Sequence, residues 1–280
     1  KRGLKSVICS GEGEPLLNKN MPEIANGIKA CGVDVAMSSN GALFSKEVAR
    51  DCLASFTWIR FSVASMEEES YDKIQRGKTG DLEKVKNNLA DAVRVKVDQH
   101  LQTTLGVQCL LLPDNIQQLP DMAKQLRETG IDYLTIKPYS QHLHSVNSFE
   151  IDYNEMIELE QEIKQYETDN FAIYFRANAM RKVHHEKCYQ KCYGLPFMTH
   201  IDAKGSVWPC VAHIGTDEFC YGNIYECTFE EIWEGNRRQE VMQRLNALDL
   251  NRICREACRM DEINKYLEEL KKPGIHVNFI

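Results

Sequence analysis

Seven of the eleven cysteines in this 280-residue chain fall between positions 188 and 258: Cys188, Cys192, Cys210, Cys220, Cys227, Cys254 and Cys258. The other four, Cys9, Cys31, Cys52 and Cys109, are scattered over the first half. Cys192 is followed after twelve residues by Gly205 and after four more by Cys210, and Cys254-Arg-Glu-Ala-Cys258 comes much later. Two separate stretches thus each offer a pair of thiols to one soft-metal site, since thiolates select zinc or iron–sulfur clusters over magnesium or calcium. A single free cysteine is often a small buried hydrophobe, but four in this pattern point to a metal. Tetrahedral zinc sites usually space their pairs by two residues, whereas Cys188–Cys192 and Cys254–Cys258 have three between them. Cubane clusters also take four thiolates. Zinc and iron–sulfur both stay open here, as does Cys188 in place of Cys192. Cys220 and Cys227 flank a turn at Tyr221-Gly-Asn223 and are read as non-ligands.

A second constellation is Gly11-Glu-Gly-Glu-Pro15, at the end of an apolar run. Glycines there let a ligand approach the backbone, and two carboxylates suit a cationic group such as an ammonium rather than a phosphate. No Gly-x-Gly-x-x-Gly or Walker sequence accompanies it, so nucleotide-phosphate binding lacks support. His142, His144, His184 and His185 sit in polar segments and read as surface residues, and no Gly-x-Ser-x-Gly nucleophile motif argues for a hydrolase.

The elements that must position these groups alternate. Apolar runs at 4–9, 33–38, 58–64, 105–112, 131–136 and 171–175 read as strands, with helical stretches at 21–30, 46–54, 82–92, 116–129 and 155–166 between them. Asp81 is a plausible N-cap and Gly130 a helix stop. Strand cores apolar throughout are expected to be buried on both faces, which predicts an α/β fold with a parallel sheet covered by helices. An open doubly wound sheet and a barrel both satisfy that pattern, and in either the ligand sits at the C-terminal strand ends. Those ends carry Gly11 to Glu14, Ser39-Asn40, Ser62 and Ser65, Asp114-Asn115 and residues 137–140. Beyond Arg176 the character changes: runs at 197–202 and 206–211 around Ala203-Lys-Gly205 read as a β-hairpin, followed by short helices and a last amphipathic helix at 262–270. The expected domains are therefore 1–180 and 181–280.

Net charge is −7, without a Lys/Arg block that would track nucleic acid. No apolar run approaches the ~20 residues that span a bilayer. A cytoplasmic protein with no nucleic-acid or membrane partner is expected.

Together the strand-end motif and the cysteine tail resemble the radical S-adenosylmethionine superfamily, specifically members with a C-terminal SPASM or twitch auxiliary-cluster domain. The Gly-Glu-Gly-Glu-Pro-Leu run is similar to the family's Gly-Gly-Glu motif, which holds the cofactor's amino group, with Gly13 and Glu14 in those places beside Gly11. Ser39-Asn40-Gly41 resembles the polar turn after the next strand, Ser62 matches a ribose-contacting position, and 105–115 and 131–139 match regions lining the adenine. Cys-x12-Gly-x4-Cys is similar to the opening of the SPASM pattern. The resemblance implies a single auxiliary [4Fe–4S] cluster on Cys192, Cys210, Cys254 and Cys258. It also implies S-adenosylmethionine as cofactor, a small-molecule or peptide substrate, and an electron donor such as flavodoxin or ferredoxin. One departure stands out: the family's Cys-x3-Cys-x2-Cys triplet is absent from these residues. The expectation is a partial (β/α)6 TIM-like barrel lacking its first strand and helix, followed by a small hairpin-and-helix cluster domain. As given, the chain is expected to be inactive, with no catalytic residue assigned. The alternatives are a zinc-stapled α/β binding protein without redox chemistry and, among enzymes, a peptide-modifying maturase.

Overall fold

The computed structural model describes residues 3–278 apart from 12, 142–144, 147–148, 150, 155, 184–185 and 257. His142, His144, His184 and His185 therefore lie outside the described residues. The chain forms two compact units, Lys1–Tyr139 with Ile151–Met180 and Ser140–Glu150 with Arg181–Ile280.

Unit 1 is built on six parallel strands: β1 (Ser6–Cys9), β2 (Asp34–Ser39), β3 (Phe56–Ser62), β4 (Thr104–Leu111), β5 (Tyr133–Pro138) and β6 (Ala172–Phe175). They lie in chain order from β1 to β6. Between them run α1 (Met21–Ala30), α2 (Lys46–Cys52), α3 (Glu68–Gln75), α4 (Asp81–Asp98), α5 (Leu119–Thr129) and α6 (Leu159–Lys164), with α7 (Ala177–Met180) after β6. Parallel crossovers are right-handed, so a sheet whose strands add in one direction places every helix on one face. Successive helices pack accordingly, α1 on α2, α2 on α4, α4 on α5 and α5 on α6. A doubly wound sheet needs a reversal of strand order, and none occurs. The winding is that of a barrel.

This winding corrects one expectation. The strands are not buried on both faces. Val35, Met37, Ile59, Phe61, Leu105, Val107, Leu134 and Ile136 are buried on the helix side, whereas Ser38, Trp58, Arg60, Ser62, Gln108, Tyr133 and Lys137 on the other side are half-exposed. Apolar residues such as Ala36 and Gly106 are interspersed among the polar ones on that second face, which hid the alternation in the sequence. Phe61 anchors the covered face against Phe44, edge to face at 5.3 Å, and its truncation to alanine would cost about 3–5 kcal/mol.

Local chemistry sets the ends of the elements. Gly130, at φ 88°, terminates α5 and donates its N–H to the Arg127 carbonyl. At the start of α4 the N-cap is Gly80, at φ 89°, and Asp81 is the first helical residue, its carboxylate accepting from Lys78 N at 2.8 Å. The expected cap was one residue late. Asp132 accepts from Lys96 Nζ and from Leu105 N, both at 2.6 Å, and so ties α4 to the foot of β4.

Unit 2 holds a three-stranded antiparallel sheet, β7 (His200–Ile201), β8 (Ser206–Trp208) and β9 (Gly222–Asn223). The hairpin was legible; the third strand, two residues long, was not. Gly205 makes the turn at φ 82°, and a Cβ there would stand 2.7 Å from the Tyr225 ring, so conformation and space both require glycine. Four helices follow, α8 (Phe229–Glu234), α9 (Asn236–Ala247), α10 (Leu250–Ile253) and α11 (Asp261–Lys271). A capping box between Thr228 and Glu231 starts α8. Val207, Phe219, Tyr221, Ile232, Val241 and Leu245 form the core of this unit, and Cys192 and Cys210 pack against it.

Candidate functional site: a strand-end cleft and a cysteine centre

The C-terminal ends of β1, β2 and β3 enclose an open cleft of about 310 Å³. Gly11, Gly13, Glu14, Ser39, Asn40 and Ser62, all six of the expected cofactor residues, line it, together with Ser10 and Ser38. The last two are neighbours of the expected residues and could have been found by extending each strand end by one position.

Glu14 is held from three sides. Pro15 behind it favours an extended conformation, observed at φ −82° and ψ 119°. Its Oε1 accepts from Leu16 N at 3.1 Å and from Ser39 Oγ at 2.8 Å, and its Oε2 accepts from Asn40 N at 2.6 Å. Gly41 N in turn donates to Ser39 Oγ at 3.0 Å. The carboxylate therefore clamps the loop after β1 to the turn after β2. A carboxylate offers about four acceptor sites, so three chain donors leave one for a ligand. Beside it, a Cβ built on Gly11 or Gly13 would meet nothing within 4 Å; the glycines leave the backbone open to the cleft. Its volume falls within the ~300–1,000 Å³ usual for small-molecule sites. The free acceptor site on Glu14 fits a cationic group such as an ammonium.

Asn115, at one of the expected adenine-lining strand ends, has another task. It is buried, accepts from Leu112 N at 3.0 Å, and donates to Ala64 O and Leu110 O, each at 2.8 Å. It brackets the ends of β3 and β4.

In unit 2, Cys192, Cys210, Cys220, Cys254 and Cys258 are half-buried, whereas Cys188 and Cys227 are exposed. Cys192, Cys210, Cys254 and Cys258 feel one another's charge: Cys258 and Cys192 act on Cys210, and Cys258 also acts on Cys192. Cys254 hydrogen-bonds Cys258, which holds the Cys258 thiol down at about 6 and raises that of Cys254. Burial pushes Cys210 up to about 11 and raises Cys192. The backbone of Gly194 and Leu195 works against the rise at Cys192, and that of Ala212 and His213 against the rise at Cys210. Met260 N donates to Cys258 Sγ at 3.4 Å, and Asn264 Nδ2 to Cys192 Sγ at 3.6 Å. Lys187, whose ammonium donates to Arg255 O at 2.9 Å, favours the thiolate of both Cys254 and Cys258. N–H···S donors and a nearby cation are what thiolates bound to an iron–sulfur cluster need, and this donor set fits one. Among the described residues no three His, Cys, Asp or Glu side chains, these four cysteines included, are gathered closely enough to hold a metal ion. Asn264, 1% exposed on α11, went unnoticed in the sequence, where an Asn on an amphipathic helix carries no signal.

Among the described residues no helix is long and apolar enough to cross a membrane. Known proteins resemble this chain in sequence and in fold. A probable GTP 3',8-cyclase of Methanococcus maripaludis is 30% identical over 148 residues, 51% of this chain and 47% of that protein. An AdoMet-dependent heme synthase of Methanosarcina barkeri is 24% identical over 258 residues, 86% of this chain and 71% of that one. The chain spans about half the length of the GTP cyclases it matches. In fold, Streptococcus suis SuiB bound to S-adenosylmethionine superposes with a TM-score of 0.64 at 15% identity, over 92% of this chain and 63% of that one. Native anSMEcpe with bound AdoMet gives 0.56 at 15%, over 97% and 82%. Residues 1–126 match the model of the radical SAM superfamily, and residues 188–259 match SPASM, an iron–sulfur cluster-binding domain. This protein belongs to the radical SAM superfamily and carries a SPASM domain.

Proposed function

We propose that the chain serves a radical S-adenosylmethionine enzyme, with the cofactor in the strand-end cleft and one auxiliary [4Fe–4S] cluster on Cys192, Cys210, Cys254 and Cys258. The convergence of Gly11, Gly13, Glu14, Ser39, Asn40 and Ser62 on one cleft carries the reading. Bound there, and given a reduced cluster, S-adenosylmethionine would supply radical chemistry that removes a hydrogen atom from the substrate. The chain's own residues bind and orient. The free lone pair of Glu14 and the open backbone at Gly13 take the ammonium, Ser62 takes a ribose hydroxyl, and the Glu14–Ser39–Asn40 clamp fixes the loop on which this depends. In unit 2, N–H···S bonds at Cys192 and Cys258 and the Lys187 charge beside Cys254 and Cys258 would steady the thiolates, and the exposure of Cys188 favours Cys192 as ligand.

No Cys-x3-Cys-x2-Cys occurs in these 280 residues, so by themselves they should bind the cofactor without cleaving it. All eleven cysteines are free, which suits a reducing compartment such as the cytoplasm. The relatives' names refer to molecules as different as GTP, heme and, for SuiB, a precursor peptide, so they support a reaction type and leave the substrate to the site. A small-molecule or peptide substrate and a flavodoxin- or ferredoxin-like electron donor complete the proposal. Anaerobic reconstitution followed by metal analysis tests the centre. About four irons with matching sulfide per chain, lost in Cys210→Ala and kept in Cys188→Ala, is the expected result. One zinc and no sulfide would refute it.

A further inference from the structure

The six strands of unit 1 carry three charged side chains, Asp34, Arg60 and Lys137. Strand register assigns their faces. Ser38 of β2 pairs with Arg60 of β3, Arg60 with Gly106 of β4, and Gly106 with Tyr133 of β5. One pleat further along, Ser62 pairs with Gln108 and Gln108 with Thr135, and Lys137 lies a further pleat along β5. Partners across parallel strands share a face, as do residues two apart. Ser38 and Ser62 line the cleft, so Arg60, Gln108, Thr135 and Lys137 belong to the same face. Asp34 stands exposed at the foot of β2. The upper part of this face therefore carries two strand-borne cations and no strand-borne carboxylate, in a chain of net charge −7.

One aromatic ring lies beside the first cation and a second covers the position next to it. The Arg60 guanidinium lies 5.3 Å from the Trp58 ring centroid. Next to Arg60, Gly106 has no side chain because the Tyr133 ring covers it: a Cβ there would stand 2.0 Å from Tyr133 Cζ. Tyr133 meets Tyr174 edge to face at 5.6 Å. Burial raises the Tyr133 phenol, and the charge of Arg60 opposes that rise, so guanidinium and phenol are near neighbours. A planar fork between rings is pre-organised for the two parallel N–H···O bonds that a carboxylate or phosphate accepts.

We propose that this face takes the substrate by an anionic group, a carboxylate or a phosphate, with Arg60 as the fork and Lys137 as a second point charge. The inference rests on the cleft beside it being the cofactor site, because a substrate lying over Arg60 is then one strand from Ser38 and one pleat from Ser62. By strand spacing and rise the Cα atoms of Arg60 and Lys137 are about 16 Å apart, a gap that two long side chains and a small molecule can fill.

Isothermal titration of the purified chain with three probes tests it: S-adenosylmethionine, inorganic pyrophosphate and succinate, the last two with and without saturating cofactor. The wild type is expected to bind one of the two anions, pyrophosphate indicating a phosphate site and succinate a carboxylate site. Arg60→Met should weaken that binding about tenfold or more and Lys137→Met about threefold, with Arg60→Lys between, as loss of a charge-assisted bond implies. Cofactor affinity should stay within about twofold, since neither side chain serves it. A wild type that binds neither anion overturns the proposal, as does anion affinity unchanged in the variants. Should Arg60→Met fail to fold, Arg60→Lys and Lys137→Met decide the matter. An equal loss of S-adenosylmethionine in Arg60→Met would assign Arg60 to the cofactor's own carboxylate, and also overturns it. Arg60-dependent anion binding without cofactor binding would keep the anion site and refute the cofactor reading instead.

Discussion

Replacing Glu14 with Gln tests the clamp that shapes the cofactor cleft. The carboxylate accepts three hydrogen bonds, from Leu16 N, Ser39 Oγ and Asn40 N. An amide of the same shape keeps one acceptor oxygen and turns the other into a donor. With the oxygen toward Leu16 and Ser39, the new NH₂ faces Asn40 N, 2.6 Å from the present oxygen. With the amide reversed, Ser39 Oγ can still accept, but Leu16 N faces the NH₂. Either way one backbone N–H loses its acceptor and the remaining bonds lose their charge. Bonds to a charged group contribute about 1.5–3 kcal/mol each, and the half-exposed position favours the low end, so the closed loop should lose about 2 kcal/mol. That amounts to roughly thirtyfold in the ratio of closed to open loop. Hydrogen exchange at the Leu16 and Asn40 amides should accelerate by about that factor, with a parallel fall in S-adenosylmethionine affinity. Combined with Ser39→Ala, the two changes should couple by about 1 kcal/mol, because they share one bond. Exchange and affinity both unchanged in Glu14→Gln would refute the reasoning.

Other expectations concern packing, pH and the cysteine centre. Gly106→Ala drives a methyl into the Tyr133 ring and should cost about 1–3 kcal/mol in urea unfolding; Tyr133→Ala should rescue most of it, and strict additivity would count against the overlap. Burial, helped by the Arg259 charge, holds His200 down at about 4, below its ordinary 6.5. Unfolded chains take up that proton first, so unit 2 should lose stability as pH falls from 6.5 to 4, by up to about 3 kcal/mol. His200→Gln should flatten the fall, and an equal pH slope in the variant would exclude His200 as its cause. Asn264→Leu strips Gly194 N of its 2.9 Å acceptor and the Cys192 sulfur of a donor. It should destabilise the cluster-free protein by about 1–3 kcal/mol and move the cluster's midpoint potential downward; a potential unchanged from wild type would show that Asn264 only supports the fold.

Patterns confined to a few neighbouring residues were legible in the chain itself. Strand–helix alternation, the Gly130 stop, the hairpin around Gly205, the Gly11-to-Glu14 run and the spacing of Cys192, Gly205 and Cys210 all follow from local conformational and chemical preference. Even Gly205 had its turn role in the sequence, though the Tyr225 ring that crowds it did not. What register and packing decided was invisible there. Ala36, Ser38, Trp58, Arg60, Gly106 and Gln108 read as parts of apolar runs until six strands laid in order put them on one uncovered face. Glu14 looked like a ligand carboxylate, and only the arrival of Ser39 and Asn40, 25 and 26 residues later, made it a clamp. Asn264 meets Cys192 across 72 residues. A side chain's own sequence neighbours fix its backbone state, but its partners come from chain folded back from far away, and a site made by such meetings exists only once the tertiary structure has formed.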